Sequence, residues 1–587
     1  MGLTSQGCKH ALCLIGWRCY TGAMDTFSLL RRRYGIAACI MLSACAAAGP
    51  SGAAGYSPPN TAYGAYLAAH YAAERNDPGA AAKYFALGLK AAPGNAAMVG
   101  EGFLASVEAG VPQALTLAPL LPGNTLATLL LGNQAAMSGD YAQAAAVYGG
   151  LPQDDLLGLI KPVLLAWARF GQGNTQAALK MLQPYFNSGV FAPVYVLNAA
   201  MIADAGHDVS DAAQYYNAVS NEQPNLRLAQ ILASWQARQG AMGLAQQELD
   251  SLALAHPDLQ IALPGLQAQI ARPVVGTAAQ GLAEAYLTLA GSLSQPSSAF
   301  LREVFLRFAL QLRPDLTAAR LLLANTLSEA DDPTATPSPT MLQNALDVLT
   351  PVQPQDPLFA PVAMQEADLL SSLGRTADAV ALLDKLIALN PQDPGLLATA
   401  GDMLRAANQM QAAIPYYSKA ITVLGNPAPA AAWSLFFDRG ICEDTVQGWA
   451  AAEPDMLQAL ALGPNQPYVL NYIGYTWALK DEKLAQAQAM LEQAVALDPD
   501  DGAVIDSLGY VNMKLGHTQT ALSLLTQAVQ LDPDDAEVNG HLGDAFWQAG
   551  EKLQAAYQWQ RALSLGPDAK LEAALKAKIQ QNFPPAS

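Results

Sequence analysis

Residues 502–535 read GAVIDSLGYVNMKLGHTQTALSLLTQAVQLDPDD. Ile505, Leu508 and Val511 recur at helical spacing in the first half. Gly516 marks a turn, and Ala521, Leu525 and Ala528 recur at the same spacing in the second half. Asp532-Pro533-Asp534-Asp535 closes the stretch, because proline cannot donate to a helical ladder. The sequence therefore specifies a helix, a tight turn and a second helix, each with one apolar face. Two short helices cannot bury those faces alone, so stacked neighbours are required.

The neighbours are present. Gly440, Gly474, Gly509 and Gly543 recur at steps of 34, 35 and 34 residues. Pro464, Pro499, Pro533 and Pro567 keep nearly the same beat, and Ala459, Ala494, Ala528 and Ala562 each stand five residues before a proline. A small residue in the first helix (A) lets the second (B) cross closely, and an alanine in B packs against it. The last unit repeats the scheme with Leu542, Gly543, Phe546, Gly550, Ala555, Trp559, Ala562 and Pro567. The unit that starts at Pro467 carries one extra residue in its turn, Lys480-Asp481-Glu482-Lys483. This is the tetratricopeptide-repeat pattern, and it predicts an all-α superhelical solenoid of helix-turn-helix repeats.

Working toward the N-terminus, the units degenerate. Units at 433–466, 394–427, 360–393 and 283–316 precede the clear ones, and the unit that starts at 317 is interrupted by DDPTATPSPT (331–340). Helix pairs near 226–257, 194–224, 160–186, 125–153 and 62–94 bring the total to about a dozen. Residues 257–276 (PDLQIALPGLQAQIARPVVG) break the rhythm and predict a boundary between two lobes. The expected organisation is an N-terminal lobe at 61–256, the boundary at 257–276, middle repeats at 277–432 and clear repeats at 433–567. Residues 568–587 follow as a capping helix and tail: Leu571, Leu575 and Ile579 lie four apart, suited to cover the last repeat.

Composition fits stacked helices. Only 14% of the 587 residues are charged, and alanine, the best helix former, dominates. The formal net charge is −18. The first 44 residues carry Lys9, Arg18, Arg31, Arg32 and Arg33 against Asp25, so the rest carries −22, which argues against nucleic acid as a partner. No apolar run reaches the roughly 18–20 residues that span a bilayer. Five of six cysteines lie in the first 45 residues, and the sixth, Cys442, sits in a helical pattern that suggests a buried, inert thiol.

The N-terminus reads as an address. Met24 is the better start, Arg31-Arg32-Arg33 a positive segment, and Tyr34 to Leu42 a short apolar one. Leu42-Ser43-Ala44-Cys45 follows and resembles a bacterial lipobox, which implies lipidation of Cys45 and removal of residues 1–44. An ordinary signal cleaved near Ala46 to Ala48 is the alternative. Acyl chains buried at about 0.8 kcal/mol per methylene anchor stably. Residue 46 is Ala rather than Asp, which resembles outer-membrane sorting, and residues 45–60 read as a flexible Gly- and Pro-rich tether.

Enzymatic signatures are missing. The sequence holds no phosphate-binding glycine loop after a strand, no HExxH, no CxxC and no GxSxG. No catalytic residue, metal site or cofactor is therefore expected. His541, in NGHLGDAFW beside Asp544, suggests a structural hydrogen bond. The Asp pairs at 500–501 and 534–535 lack the alternating oxygens of a calcium loop and suggest helix N-caps.

In tetratricopeptide repeats, positions 2, 5, 9, 12 and 13 of helix A typically face the concave groove. Here they give Tyr468, Asn471 and Tyr475 from one unit. They give Asp506, Tyr510, Met513 and Lys514 from the next, and Glu537, Asp544, Trp547 and Gln548 from the last. Tyrosine and tryptophan among hydrogen-bonding groups suit protein recognition, with Lys514 placed to meet a carboxylate. The alternative is that Tyr475 or Trp547 packs between helices.

Residues 471–563, including NYIGYTWA, AMLEQAVALDPDDGAVIDSLGYVNMKLG and AEVNGHLGDAFWQAGEKLQAAYQWQRAL, resemble a group of proteobacterial tetratricopeptide-repeat lipoproteins. Some members of that group are outer-membrane adaptors for a periplasmic carboxy-terminal processing protease and bind its substrates, peptidoglycan hydrolases among them. The resemblance implies an outer-membrane scaffold on the periplasmic face that binds such proteins and catalyses nothing. The alternative is a lipoprotein component of an exopolysaccharide export or envelope-assembly machine.

Overall fold

A computed structural model describes residues 61–152, 156–220, 225–293, 295–330 and 335–583. The signal, Cys45 and the tether lie outside them. Every regular element among the described residues is a helix. No described helix is long and apolar enough to cross a membrane. The chain divides into two compact units, residues 1–375 and 376–587.

The second unit follows the repeat grammar closely. After Thr376–Leu389 come the pairs Pro394–Ala406 with Met410–Leu424, and Trp433–Gln447 with Trp449–Leu462. Pro467–Leu479 then pairs with Leu484–Leu497, Gly502–Lys514 with Thr518–Leu531, and Ala536–Gln548 with Lys552–Ser564. The aspartates before two A helices cap them as their sequence suggests. Asp501 Oδ1 accepts from the amides of Ala503 and Val504, at 2.9 and 3.1 Å. Asp535 does the same for Glu537 and Val538, at 2.8 and 3.0 Å. Each bond satisfies a donor that the first helical turn leaves without a partner.

The recurring glycines work through contact. A Cβ on Gly509 would stand 2.6 Å from Leu525 Cγ, and one on Gly474 2.7 Å from Leu491 Cγ. Helix B crosses helix A so closely that no side chain fits between them. The recurring alanines, Ala459, Ala494, Ala528 and Ala562, are all fully buried opposite these crossings. Gly516 and Gly550, in the A–B turns, hold φ of +80° and +85°, where a Cβ would be strained. The longer turn after Pro467–Leu479 has no glycine, and Asp481 and Lys483 take positive φ instead. The final helix, Ala569–Asn582, lays Leu575 onto Trp559 and Ala562, so the last repeat is covered as the 3–4 spacing predicts.

The first unit departs from a simple stack. It begins with five helix pairs, Ala62–Glu74 to Val219, and a sixth, Leu226–Arg238 with Met242–Ala255. Helix Ala278–Ser292 then turns back onto much earlier helices rather than only onto its neighbour. Gly281 permits this, since a Cβ there would collide with the Trp167 ring. Tyr286 is fully buried and donates to Asn133 Oδ1 at 3.0 Å, where Tyr148 also donates at 2.8 Å. Glu284, 1% exposed, takes Arg227 through a bidentate contact and Arg313 at 3.2 Å. One apolar core runs from Phe103 to Val348.

One sequence-based boundary is thereby corrected. The segment 257–276 does not separate lobes but lies inside the first unit. It folds as the 3₁₀ helix Pro257–Ala262 and the short helix Leu263–Ala268, burying Leu259, Ala262 and Leu266. The broken rhythm is what lets the next helix reverse onto Trp167. The stretch 360–393 folds as the helix pair Phe359–Ser372 and Thr376–Leu389, and the boundary between the two units falls in the turn between them. Gly265 approaches the Pro357 backbone closely, which holds the start of Phe359–Ser372 to the 257–276 segment.

Candidate protein-binding face

Three successive A helices of the second unit bring four of the eleven expected groove residues together, Tyr475, Asp506, Tyr510 and Glu537. Tyr475, from Pro467–Leu479, stacks edge-on against Tyr510, from Gly502–Lys514, with centroids 5.6 Å apart. Its hydroxyl donates to Glu537 Oε1 of Ala536–Gln548 at 2.6 Å. Beside them Asp506 Oδ2 holds His541 Nδ1 at 2.8 Å, and the His541 ring lies 4.6 Å from Tyr510 and 6.2 Å from Tyr475. Repeat spacing makes this convergence possible, because equivalent positions on consecutive A helices project onto one face.

The electrostatics are mutual. Burial pushes the Tyr475 phenol well up, reinforced by the Glu537 and Asp506 carboxylates, so it stays a neutral donor. Tyr510 is raised chiefly by burial. Burial alone would lower His541, but Asp506, with Glu537 and Asp544 behind it, outweighs that and raises it. The face therefore combines flat aromatic surface with hydroxyl and carboxylate groups.

The other expected residues are placed differently. Lys514 is not waiting for a ligand carboxylate: it sits 2.8 Å from Asp481 Oδ1 and over the Tyr510 ring, and the Asp481 bond raises its pKa. The extra residue in the preceding turn puts Asp481 there. Asp544 faces the capping helix, where it accepts from Trp559 Nε1 at 2.9 Å and from Lys578 Nζ at 2.7 Å. Trp547 packs between Trp559 and Phe583, the interhelical alternative. Met513 lies against the Leu525–Leu542 core, and its carbonyl takes Gln548 Nε2 at 3.3 Å. Tyr468 is exposed at the outer end. Asn471 is half-buried, and its Oδ1 has no partner.

His541 belongs to this cluster, although its neighbour in sequence, Asp544, suggested a different bond. The helical repeat held the signal: His541 stands one residue past the fifth position, on the side that meets the fifth position of the preceding repeat, Asp506. Earlier on the same series of helices, Asp402 accepts from Tyr417 at 2.7 Å and Asp438 meets Arg405 at 3.4 Å. Burial pushes Asp438 up to about 6, against the pull of Arg405. Cys442, beside them, is fully buried, and burial raises its thiol to about 11, so it is an inert core residue.

Comparison with known proteins agrees with this architecture. Residues 364–431 and 507–570 match the tetratricopeptide-repeat family profile. The repeats are tetratricopeptide repeats, the fold is the all-α repeat fold they build, and such repeats make a protein-interaction scaffold. A TPR repeat-containing protein of Pseudomonas aeruginosa, PA4667, is 28% identical over 180 residues. That match takes in 29% of this chain and 28% of the relative's length. Among solved structures, YrrB, described as a tetratricopeptide-repeat protein with an unusual peptide-binding site, is 21% identical. It covers 33% of this chain and 97% of its own, with a TM-score of 0.28. Yeast Tom70 is 14% identical and covers 78% of this chain and 95% of its own, with a TM-score of 0.33.

Proposed function

We propose that this chain is a non-catalytic adaptor that captures a protein segment on the face formed by Tyr475, Asp506, Tyr510, Glu537 and His541. The observation that carries the reading is the convergence of two tyrosines, two carboxylates and a histidine from three consecutive repeats. We further propose that Cys45 is lipidated and holds the chain at the periplasmic face of the outer membrane. The resemblance over residues 471–563 supports the finer reading, that the captured partners are a carboxy-terminal processing protease and its peptidoglycan-hydrolase substrates.

The test is crosslinking and affinity purification of the full chain, compared with the double variant Tyr475→Ala and Tyr510→Ala. Truncating a buried anchor typically costs about 2 kcal/mol or more, roughly thirtyfold in affinity. Partner capture should fall while the circular-dichroism spectrum is kept. Full-strength capture by the folded double variant moves the site elsewhere. A Cys45→Ala variant that sediments with outer membranes like the parent removes the anchoring reading.

A further inference from the structure

The charges on this face are unevenly satisfied. Lys514 is neutralised by Asp481, and Lys578 by Asp544. Asp506 is only 5% exposed, and while Oδ2 takes His541, its Oδ1 has no hydrogen-bond partner. One repeat earlier, at the same position of helix A, Asn471 Oδ1 is also buried without a partner. Glu537 is exposed and receives one side-chain donor, the Tyr475 hydroxyl. The face thus offers two buried acceptors in repeat register and an exposed carboxylate that forms no ion pair with a lysine or arginine. A buried acceptor without a donor is unfavourable, and more so when it is a carboxylate.

An acidic partner segment would find both lysines taken. A cationic one would find acceptors, carboxylate charge and aromatic walls together. We propose that the face selects an extended partner segment bearing a lysine or arginine, whose cationic head lodges between Asp506 Oδ1 and Glu537. This rests on the reading of the face as protein-binding. The incoming head takes over Glu537 from the Tyr475 hydroxyl, and the Tyr475 ring flanks it, as aromatic faces favour cations. Asn471 Oδ1 accepts a main-chain amide of the same segment one repeat along. Arginine gains over lysine, since its planar fork can address both carboxylates.

The probe is a set of end-blocked nonapeptide pools with the central residue fixed as Lys, Arg, Gln, Leu or Glu and the rest randomised. Each pool is passed over the immobilised full chain. The Lys and Arg pools should be retained at least tenfold above the Gln and Glu pools. The pair Asp506→Asn and Glu537→Gln should bring them down to the Gln pool and leave the Leu pool unchanged. Asn at 506 can still accept from His541, so the fold survives, and thermal melting checks it. Retention without preference for a cation, or a preference that Asp506→Asn and Glu537→Gln leave intact, overturns this inference alone. Retention that is equally strong on Tyr475→Ala with Tyr510→Ala, or no retention of any pool, overturns it together with the binding face.

Discussion

Asp544 is placed to fasten the end of the chain, and its removal has a calculable cost. Its Oδ1 accepts the Trp559 indole N–H at 2.9 Å, and both its oxygens meet Lys578 of the capping helix at 2.7 Å. Trp559 is 2% exposed and pressed against Gly543, so its ring cannot turn to find water. Asp544→Ala therefore leaves a buried donor without a partner, at about 1–3 kcal/mol. The Lys578 pair, with side chains 36% and 24% exposed, is screened by solvent and adds at most about 1 kcal/mol. Asp544→Asn keeps an acceptor for the indole and loses only the charge, so it should cost under about 1 kcal/mol. Amide hydrogen exchange over residues 536–582 reads this directly as local opening. A loss of about 2 kcal/mol speeds exchange by roughly thirtyfold, so Asp544→Ala should exchange far faster than Asp544→Asn. Equal acceleration by the two variants, or none from either, would refute the reasoning that the indole bond dominates.

Three further outcomes follow from the geometry. Glu284→Ala removes the buried carboxylate that Arg227 and Arg313 share in the first unit and should cost about 3–5 kcal/mol, seen as a lowered urea midpoint for that unit. His541 should titrate above its ordinary value near 6.5 in an NMR pH series, and Asp506→Asn should bring it down. Because the folded pKa is the raised one, the His541–Asp506 pair adds stability that is complete below about pH 6.5 and is lost as pH rises through the folded pKa. The far-ultraviolet circular-dichroism spectrum of the chain should be helical throughout, and a dominant sheet signal would overturn the repeat assignment.

What the sequence disclosed and what it withheld divide by range. The glycine–alanine–proline beat of residues 440–567 was legible because each residue acts on backbone within its own unit. Gly509 against Leu525 and Asp501 capping its own helix are such local effects. The convergence of Tyr475, Asp506, Tyr510 and Glu537 was legible too, since it needs only the repeat period. The fate of Lys514 was not. It hangs on Asp481, 33 residues earlier, delivered by one extra residue in a turn. Asp544 likewise looked like a groove residue until the capping helix supplied Lys578. In the first unit, the broken rhythm of 257–276 was visible, but its sense was not. A break can end a stack or bend it back, and the close packing of Gly281 on Trp167, more than a hundred residues apart, decided between them.

Asn133 gathers Tyr148 from its own repeat and Tyr286 from 153 residues away. A chain emerging from the ribosome makes the first of those bonds early and must wait for the second. Until residues near 286 arrive, the surface around Trp167 and Tyr148 has no lid, and the loop to be closed is long. The first unit should therefore consolidate late and all at once, and shortening it by one repeat would misalign the tyrosines on their shared amide. In the second unit the longest such reach among the described residues is Tyr475 to Glu537, 62 residues, across a single intervening repeat. Outside the stretch that Tyr475 and Glu537 bracket, whole repeats could be deleted or duplicated with only the adjoining interfaces to mend. Change in the length of this protein, by laboratory or by descent, is tolerated at one end of the chain and resisted at the other.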